Sequence, residues 1–285
     1  MMLALARWAM RGPLQCIAIV LLTGIVPWFF WFSAAISALV TLRRGLAPAA
    51  PVVIAAAVPA GWWWVQGDPV PLATVLLVTL MATLLRARVR WGEALIGASL
   101  TAALMVQSGI FLPPGGAGPL LESIRKNAPE LDARLNDFAA QGVPTEQLAG
   151  LVIGGITGLV VLLAATGCLA LARSWQSGLY NPGGFRREFH AFRLSLPEIL
   201  ILAACGIIGV LLNVPAVLLL IWIPLLVAGI ALVHGYIGLK GMSGLWLVGV
   251  YFMMLTTWPT ILILLLLALV DVFADFRARL AGSHR

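Results

Sequence analysis

The sequence predicts an all-α, polytopic membrane protein of about ten membrane segments. Three observations predict it. Hydrophobic residues make up 61% of the 285-residue chain and charged residues only 10%, too little polar surface to cover a water-soluble core. The apolar residues form runs close to the ~20 residues with which a helix crosses a bilayer. The 18 Lys and Arg fall in or beside the short gaps between those runs and alternate from gap to gap. No soluble block is longer than a loop, so residues 1–285 form one membrane domain with two larger polar loops, 113–146 and 173–196.

The net charge of +7 lies mostly beside membrane segments, where orientation and anionic headgroups account for it. There is no contiguous basic patch, so nucleic acid is not an expected partner. The start, MMLALARWAMRG, lacks a small-residue cleavage site, and the first apolar run is expected to be retained.

The segments are 13–26, 27–42, 49–65, 70–87, 93–112, 147–172, 197–212, 214–236, 243–258 and 260–276. Residues 13–42 hold Gly24 and Pro27, and 243–276 hold Pro259. Each stretch is either one long tilted helix or two short ones, which leaves eight or ten crossings. Charge favours ten. With both stretches split and the N-terminus inside, fifteen of the eighteen Lys and Arg are inside, and only Arg125, Lys126 and Arg134 are outside. Unsplit, the division falls to ten against eight. The positive-inside rule therefore predicts that both termini are cytoplasmic. Several segments are then short for the bilayer, which suits half-helices or re-entrant pieces. Trp62, Trp63 and Trp64 mark one interface, and Trp8, Trp91 and Trp175 the other.

In the sixth segment Gly150, Gly154 and Gly158 line one helix face, where backbones approach closely. Packing within the chain is favoured over a dimer seam. The outer loop carries Leu131, Leu135 and Phe138 at helical spacing among Glu130, Asp132, Arg134 and Asp137, a short amphipathic surface helix that serves as a connector or a lid. In the inner loop, Asn181-Pro182-Gly183-Gly184 signals a turn. Beyond it Phe185, Phe189 and Phe192 share a face, with Arg186, Arg187, Glu188 and Arg193 turned elsewhere. This pattern predicts an interfacial helix for the inner leaflet, or a docking surface for a cytoplasmic protein.

Chemical motifs are sparse. No phosphate-binding glycine loop precedes Lys-Ser/Thr, no His-Glu-x-x-His or Gly-x-Ser-x-Gly occurs, and Cys16, Cys168 and Cys205 lack metal-ligand spacing. No catalytic, cofactor-binding or metal-binding residue is assigned, and an enzyme is not expected. Ser195 and Glu198 read as a capping box. Glu93 suits its helix start and the nearby Arg86, Arg88 and Arg90. Asn213 with Pro215 marks an outer turn, Gln107 could face a cavity, and Asp275 with Arg279 suits an i,i+4 ion pair. His234 and Asp271 are intramembrane ionisable residues. Each lies six residues before an inner-side basic residue, Lys240 and Arg277. At ~1.5 Å per residue both sit ~9 Å inside the inner interface. They are either a hydrogen-bonded pair or two separately satisfied groups.

The stretch Tyr180-Asn181-Pro182-Gly183-Gly184-Phe185-Arg186-Arg187-Glu188-Phe189-His190 resembles the inner-loop motif of the YybS-like bacterial membrane proteins. The ending Ala268-Leu269-Val270-Asp271-Val272-Phe273-Ala274-Asp275-Phe276-Arg277 is similar to that family's Asp…Asp-Phe-Arg pattern. His234 followed by Lys240-Gly241, and Arg43-Arg44-Gly45, are similar too. The family is uncharacterised and implies no catalytic residues. Its distant similarity to substrate-binding membrane subunits of energy-coupling-factor transporters implies a subunit without its own ATPase, a fold-level analogy. The leading expectation is thus a transporter-type subunit that binds a small solute among its helices, beneath 113–146. The alternative is a membrane scaffold or assembly factor that docks a cytoplasmic partner through 173–196. A polar-lined cavity within the bundle favours the first, a tightly packed interior the second.

Overall fold

The computed structural model describes residues 2–112, 116–140, 142 and 144–282. Pro113, Pro114 and Gly115, the start of the outer loop, lie outside the described residues, as does the side chain of Phe138. Among the described residues the structure is all-helical, with no strand. The chain runs α1 (Met2–Ala9), α2 (Pro13–Ile25), a 3-10 turn (Pro27–Phe29), α3 (Phe30–Arg44), α4 (Leu46–Val65), α5 (Val70–Arg88) and α6 (Trp91–Gln107). Next come α7 (Gly118–Asn127), α8 (Pro129–Ala140), α9 (Thr145–Tyr180), α10 (Gly184–Ala191) and α11 (Leu196–Leu211). The last are α12 (Pro215–Leu220), α13 (Ile223–Leu239), α14 (Leu245–Thr256), α15 (Trp258–Ala274) and α16 (Phe276–Gly282).

Both ambiguous stretches break in two. Val26 is extended and Pro27 starts the next turn, so 13–42 forms α2 and α3. Thr257 is extended ahead of Trp258 and Pro259, and α14 and α15 meet at a bend of 118°. Pro27 biases the residue before it, Val26, away from helix. Pro259 sits in the first turn of α15, where its missing N–H costs no helical hydrogen bond and its fixed φ suits a helix start.

Four helical stretches are long and apolar enough to cross a membrane: Leu46–Val65, Val70–Arg88, Thr145–Tyr180 and Pro215–Leu239. Two bent pairs, α10 with α11 and α14 with α15, reach that standard only together, for up to six spans. These apolar helices fit a multi-pass membrane protein. So does the outer surface, where Leu211 is 77% and Leu255 is 88% exposed. Apolar exposure on this scale suits contact with lipid rather than water.

The centre is close-packed. Helices α3, α5, α6 and α9 pack on one another, around fully buried Ile36, Leu39, Leu77, Met81, Leu95, Leu162 and Leu169. The glycine face of α9 is an internal seam: a Cβ at Gly154 would lie 3.3 Å from Val106, and one at Gly158 would collide with the same side chain. Close approach of α6 to α9 therefore needs these glycines. At α13, a Cβ on Gly229 would run into the Leu264 backbone, so this glycine sets the α13–α15 approach.

The outer loop holds two helices where one was expected, because α7 ends at Ala128, ahead of Pro129. The pair is tied by Arg125 and Asp132, 3.5 Å apart, and both helices pack against α9. The cavity here, about 460 Å³, is lined by hairpin residues only, among them Asn127, Glu130 and Arg134. Gln107 is exposed at the end of α6 rather than facing a cavity. Asn213 adopts φ 54° in the turn between α11 and α12, a left-handed conformation that Asn tolerates.

Candidate functional site

Contacts between distant segments of the chain gather basic residues at one end of the bundle. Arg86 Nη1 donates to the carbonyls of Leu42 and Arg43 at 2.8 and 2.9 Å, joining the ends of α3 and α5. The Arg43 guanidinium lies 4.3 Å over the Tyr180 ring, which brings the end of α9 to the same place. At the opposite end, Trp63 donates to the Gly24 carbonyl at 3.1 Å, and the α7–α8 hairpin carries Arg125, Lys126 and Arg134.

Helix α10 is the centre of the cationic end. It starts after Gly183, whose φ of 78° makes the left-handed turn that glycine permits without a Cβ clash. The Ser177 hydroxyl accepts from the Phe185 amide at 2.9 Å and donates to the Asn181 carbonyl at 2.8 Å. The phenylalanine face is turned to protein: Phe185 and Phe189 pack on the core, and Phe192 is buried. Trp91, Phe185, Phe189, His234 and Tyr251 form a continuous aromatic chain through α6, α10, α13 and α14.

Glu188 anchors this helix. Its carboxylate accepts from the Trp91 indole at 2.6 Å and from Arg173 Nε and Nη2 at 3.0 and 2.7 Å. The sequence reading turned Glu188 away from the phenylalanine face and missed this role. Its i,i+3 spacing from Phe185 was the available signal.

Arg186 and Arg187 remain exposed. Together with His190, Arg193, Asp275 and Arg277 they line a cleft of about 640 Å³, with Gly235 and Gly238 of α13 among its other walls. A Cβ at Gly238 would sit 2.7 Å from the His190 ring, and one at Gly235 would sit 2.7 Å from the His190 carbonyl. The two glycines thus let α10 lie directly on α13. Burial lowers the His190 pKa from its ordinary value, and the Arg186 and Arg277 charges lower it further.

His234 and Asp271 sit on neighbouring helices, α13 and α15, yet each bonds elsewhere. His234 Nε2 pairs with the Tyr251 hydroxyl at 2.9 Å. Asp271, 2% exposed, accepts from the Phe276 amide at 2.9 Å and lies 3.5 Å from Arg277 Nη2. The second of the two expected arrangements, separate satisfaction, is the observed one. Helix α15 ends at Asp275, whose φ of 42° turns the chain so that Arg277 folds back onto Asp271. Equal depth could not reveal that turn. Asp275 likewise pairs with Arg193, at 2.8 Å, rather than with Arg279.

Other placements follow the sequence. Glu198 accepts from the amide and hydroxyl of Ser195, both at 2.7 Å. Glu93 contacts Arg90 at 3.4 Å and Arg88 at 3.9 Å. Cys16 and Cys168 are buried, Cys205 is half-buried, and all three are free thiols. Among the described residues no group of three His, Cys, Asp or Glu is placed to hold a metal ion. Comparison with models of known families, with curated proteins and with solved structures finds no match.

Proposed function

We propose that this chain is a ten-pass protein of the bacterial inner membrane, with both termini cytoplasmic, and that it works as a membrane-embedded docking platform for an acidic cytoplasmic protein. In favour of alternating passes, α3, α5 and α9 end together at Arg43, Arg86 and Tyr180, and α2 and α4 end together at Gly24 and Trp63. The observation that carries the docking reading is α10 itself. Its Phe face and Glu188 are spent on anchoring, while Arg186 and Arg187 stay free to meet a partner. A helix held this firmly presents its charges with little ordering entropy left to lose on binding. Two of the segments that resemble the YybS-like family meet here: Arg277 bonds Phe192 just beyond 180–190.

A solute-binding transport subunit is the second reading. Three buried hydroxyls, Ser33 Oγ, Thr74 Oγ1 and Ser99 Oγ, find no hydrogen-bond partner among the described residues. They lie on α3, α5 and α6, where a polar solute or water would satisfy them.

Site-specific photocrosslinking in living cells separates the two. A crosslinker at Arg187 should capture a discrete acidic protein, and Arg186→Gln with Arg193→Gln should weaken that capture. A crosslinker at Leu131 in α8 should not capture it. If Arg187 captures nothing while native mass spectrometry finds a small solute whose retention depends on Ser33 and Ser99, the transport reading replaces docking.

A further inference from the structure

The charge on the cleft walls does not balance. Arg193 is neutralised by Asp275 at 2.8 Å, and Arg277 lies against Asp271 at 3.5 Å. Among the described residues neither Arg186 nor Arg187 has a carboxylate within ion-pair distance. Two guanidinium charges are therefore uncompensated on one wall. The donors are unbalanced too. Behind that wall Arg277 Nη1 is used on the Phe192 carbonyl at 2.8 Å, but the buried Nε and Nη2 have no hydrogen-bond acceptor among the described residues. Gly235 and Gly238 also line the cleft, at the place where α10 lies directly on α13. A cleft of about 640 Å³ lies in the size range of small-molecule sites.

We infer that this cleft binds a phosphate monoester. The group carries about −1.5 to −2 charge near neutral pH with three strong acceptor oxygens, which matches two unpaired guanidiniums. Arginine forks also donate to phosphate in pairs, giving short, charge-assisted bonds. A carboxylate would neutralise only one of the two charges. Asp275 faces the same space, but its pairing with Arg193 offsets its repulsion. The phosphate arrives on a soluble ester from the aqueous phase or on the headgroup of an acidic lipid. Leu239, on the cleft wall, and nearby Tyr236 are exposed, an apolar path on which an acyl chain would lie. The site needs no protein partner, so its test is independent of the docking reading.

The experiment uses the purified full chain in phosphatidylcholine nanodiscs, with no other protein present. One arm titrates glycerol 3-phosphate and reads binding calorimetrically. The other incorporates a small fraction of phosphatidic acid and counts retained lipid by native mass spectrometry. Binding in the first arm alone identifies a soluble ester, binding in the second alone identifies a headgroup, and binding in both shows that the phosphate suffices. In whichever arm binds, Arg186→Gln with Arg187→Gln should weaken binding by at least about tenfold, since each such charge contributes about 1 kcal/mol near an anionic group. Arg125→Gln with Lys126→Gln, at the other end, should leave it unchanged. Both variants alter exposed side chains, and an unchanged melting temperature confirms their fold. Binding in neither arm, or equal binding by the Arg186/Arg187 variant and the native chain, overturns the inference.

Discussion

Arg277 donates through Nη1 to the main-chain carbonyl of Phe192 at 2.8 Å, while its Nη2 lies 3.5 Å from the carboxylate of Asp271. One side chain thus ties the start of α16 to the end of α15 and to the inner loop. Arg277→Met should destabilise the protein by about 3 kcal/mol, because it leaves a buried carboxylate without its cation. Asp271→Leu added to it should recover part of the loss, since no buried charge then remains. Thermal unfolding in nanodiscs measures both. If the double variant is no more stable than Arg277→Met alone, Asp271 is not the reason for the loss.

His234 and Tyr251 should behave as a coupled pair. Their polar atoms lie 2.9 Å apart, and removing either leaves the other short of a partner. A double-mutant cycle with His234→Leu and Tyr251→Phe should show a coupling of about 0.5–1.5 kcal/mol, the range for a neutral hydrogen bond. The corresponding cycle between His234 and Asp271 should be additive within about 0.5 kcal/mol. Coupling in the second cycle but not the first would mean that the two partners are wrongly assigned.

The α13–α15 seam gives a steric prediction. A methyl group at Gly229 would meet the backbone of Leu264, which cannot swing aside as a side chain can. Gly229→Ala should therefore cost about 1–3 kcal/mol through overpacking. Gly61 in α4 has no such neighbour within 4 Å, and Gly61→Ala should stabilise by about 0.5–1 kcal/mol through helix propensity alone. Equal effects at both sites would show that close packing does not limit the α13–α15 distance.

Membrane sidedness is open to direct labelling. In a background free of Cys16, Cys168 and Cys205, Ser123→Cys in the outer hairpin should react with an impermeant maleimide added to intact cells. Ser243→Cys, exposed between α13 and α14, should react only after lysis. Reaction of both in intact cells would remove the ten-pass arrangement.

These relationships differ in how far the linear chain announces them. Breaks at Pro27 and near Pro259 were legible because proline acts locally. The Gly150–Gly154–Gly158 face was legible as a seam from its spacing, since four-residue repeats line one side of a helix. The phenylalanine face of α10 was legible for the same reason. The partners of His234 and Asp271 were not. Helical depth fixes a residue's height but not its azimuth, and Tyr251 lies on a different helix with no marking pattern. The Glu188 anchor was hidden similarly, because Trp91 and Arg173 approach it from two other segments of the chain. The cleft could not be read at all. It depends on Gly235 and Gly238 admitting α10 against α13, a packing outcome that composition does not encode.

His190 gives the cleft a pH dependence. Its ring rests on Gly238, and the groups that face it are Arg186 and Arg187 on its own helix, Arg193, Asp275 and Arg277 across the cleft, and His234 on α13. Burial first, then the Arg186 and Arg277 charges, disfavour protonation, so the pKa lies below the ordinary 6.5. In the unfolded chain the imidazole takes up its proton at the ordinary value. The unfolded state therefore binds more protons than the folded one between 6.5 and the lowered value. Stability from this residue is complete above pH 6.5 and falls as the pH drops through that window. Below the folded value it is fully lost. His190→Gln, similar in size and never charged, should flatten this part of the stability profile and leave behaviour above pH 7 nearly unchanged. Melting temperatures from pH 7.5 to pH 5, read for the native chain and the variant in the same nanodiscs, make the comparison. Parallel curves would show that the acid-sensitive group lies elsewhere, with His234 the next residue to replace.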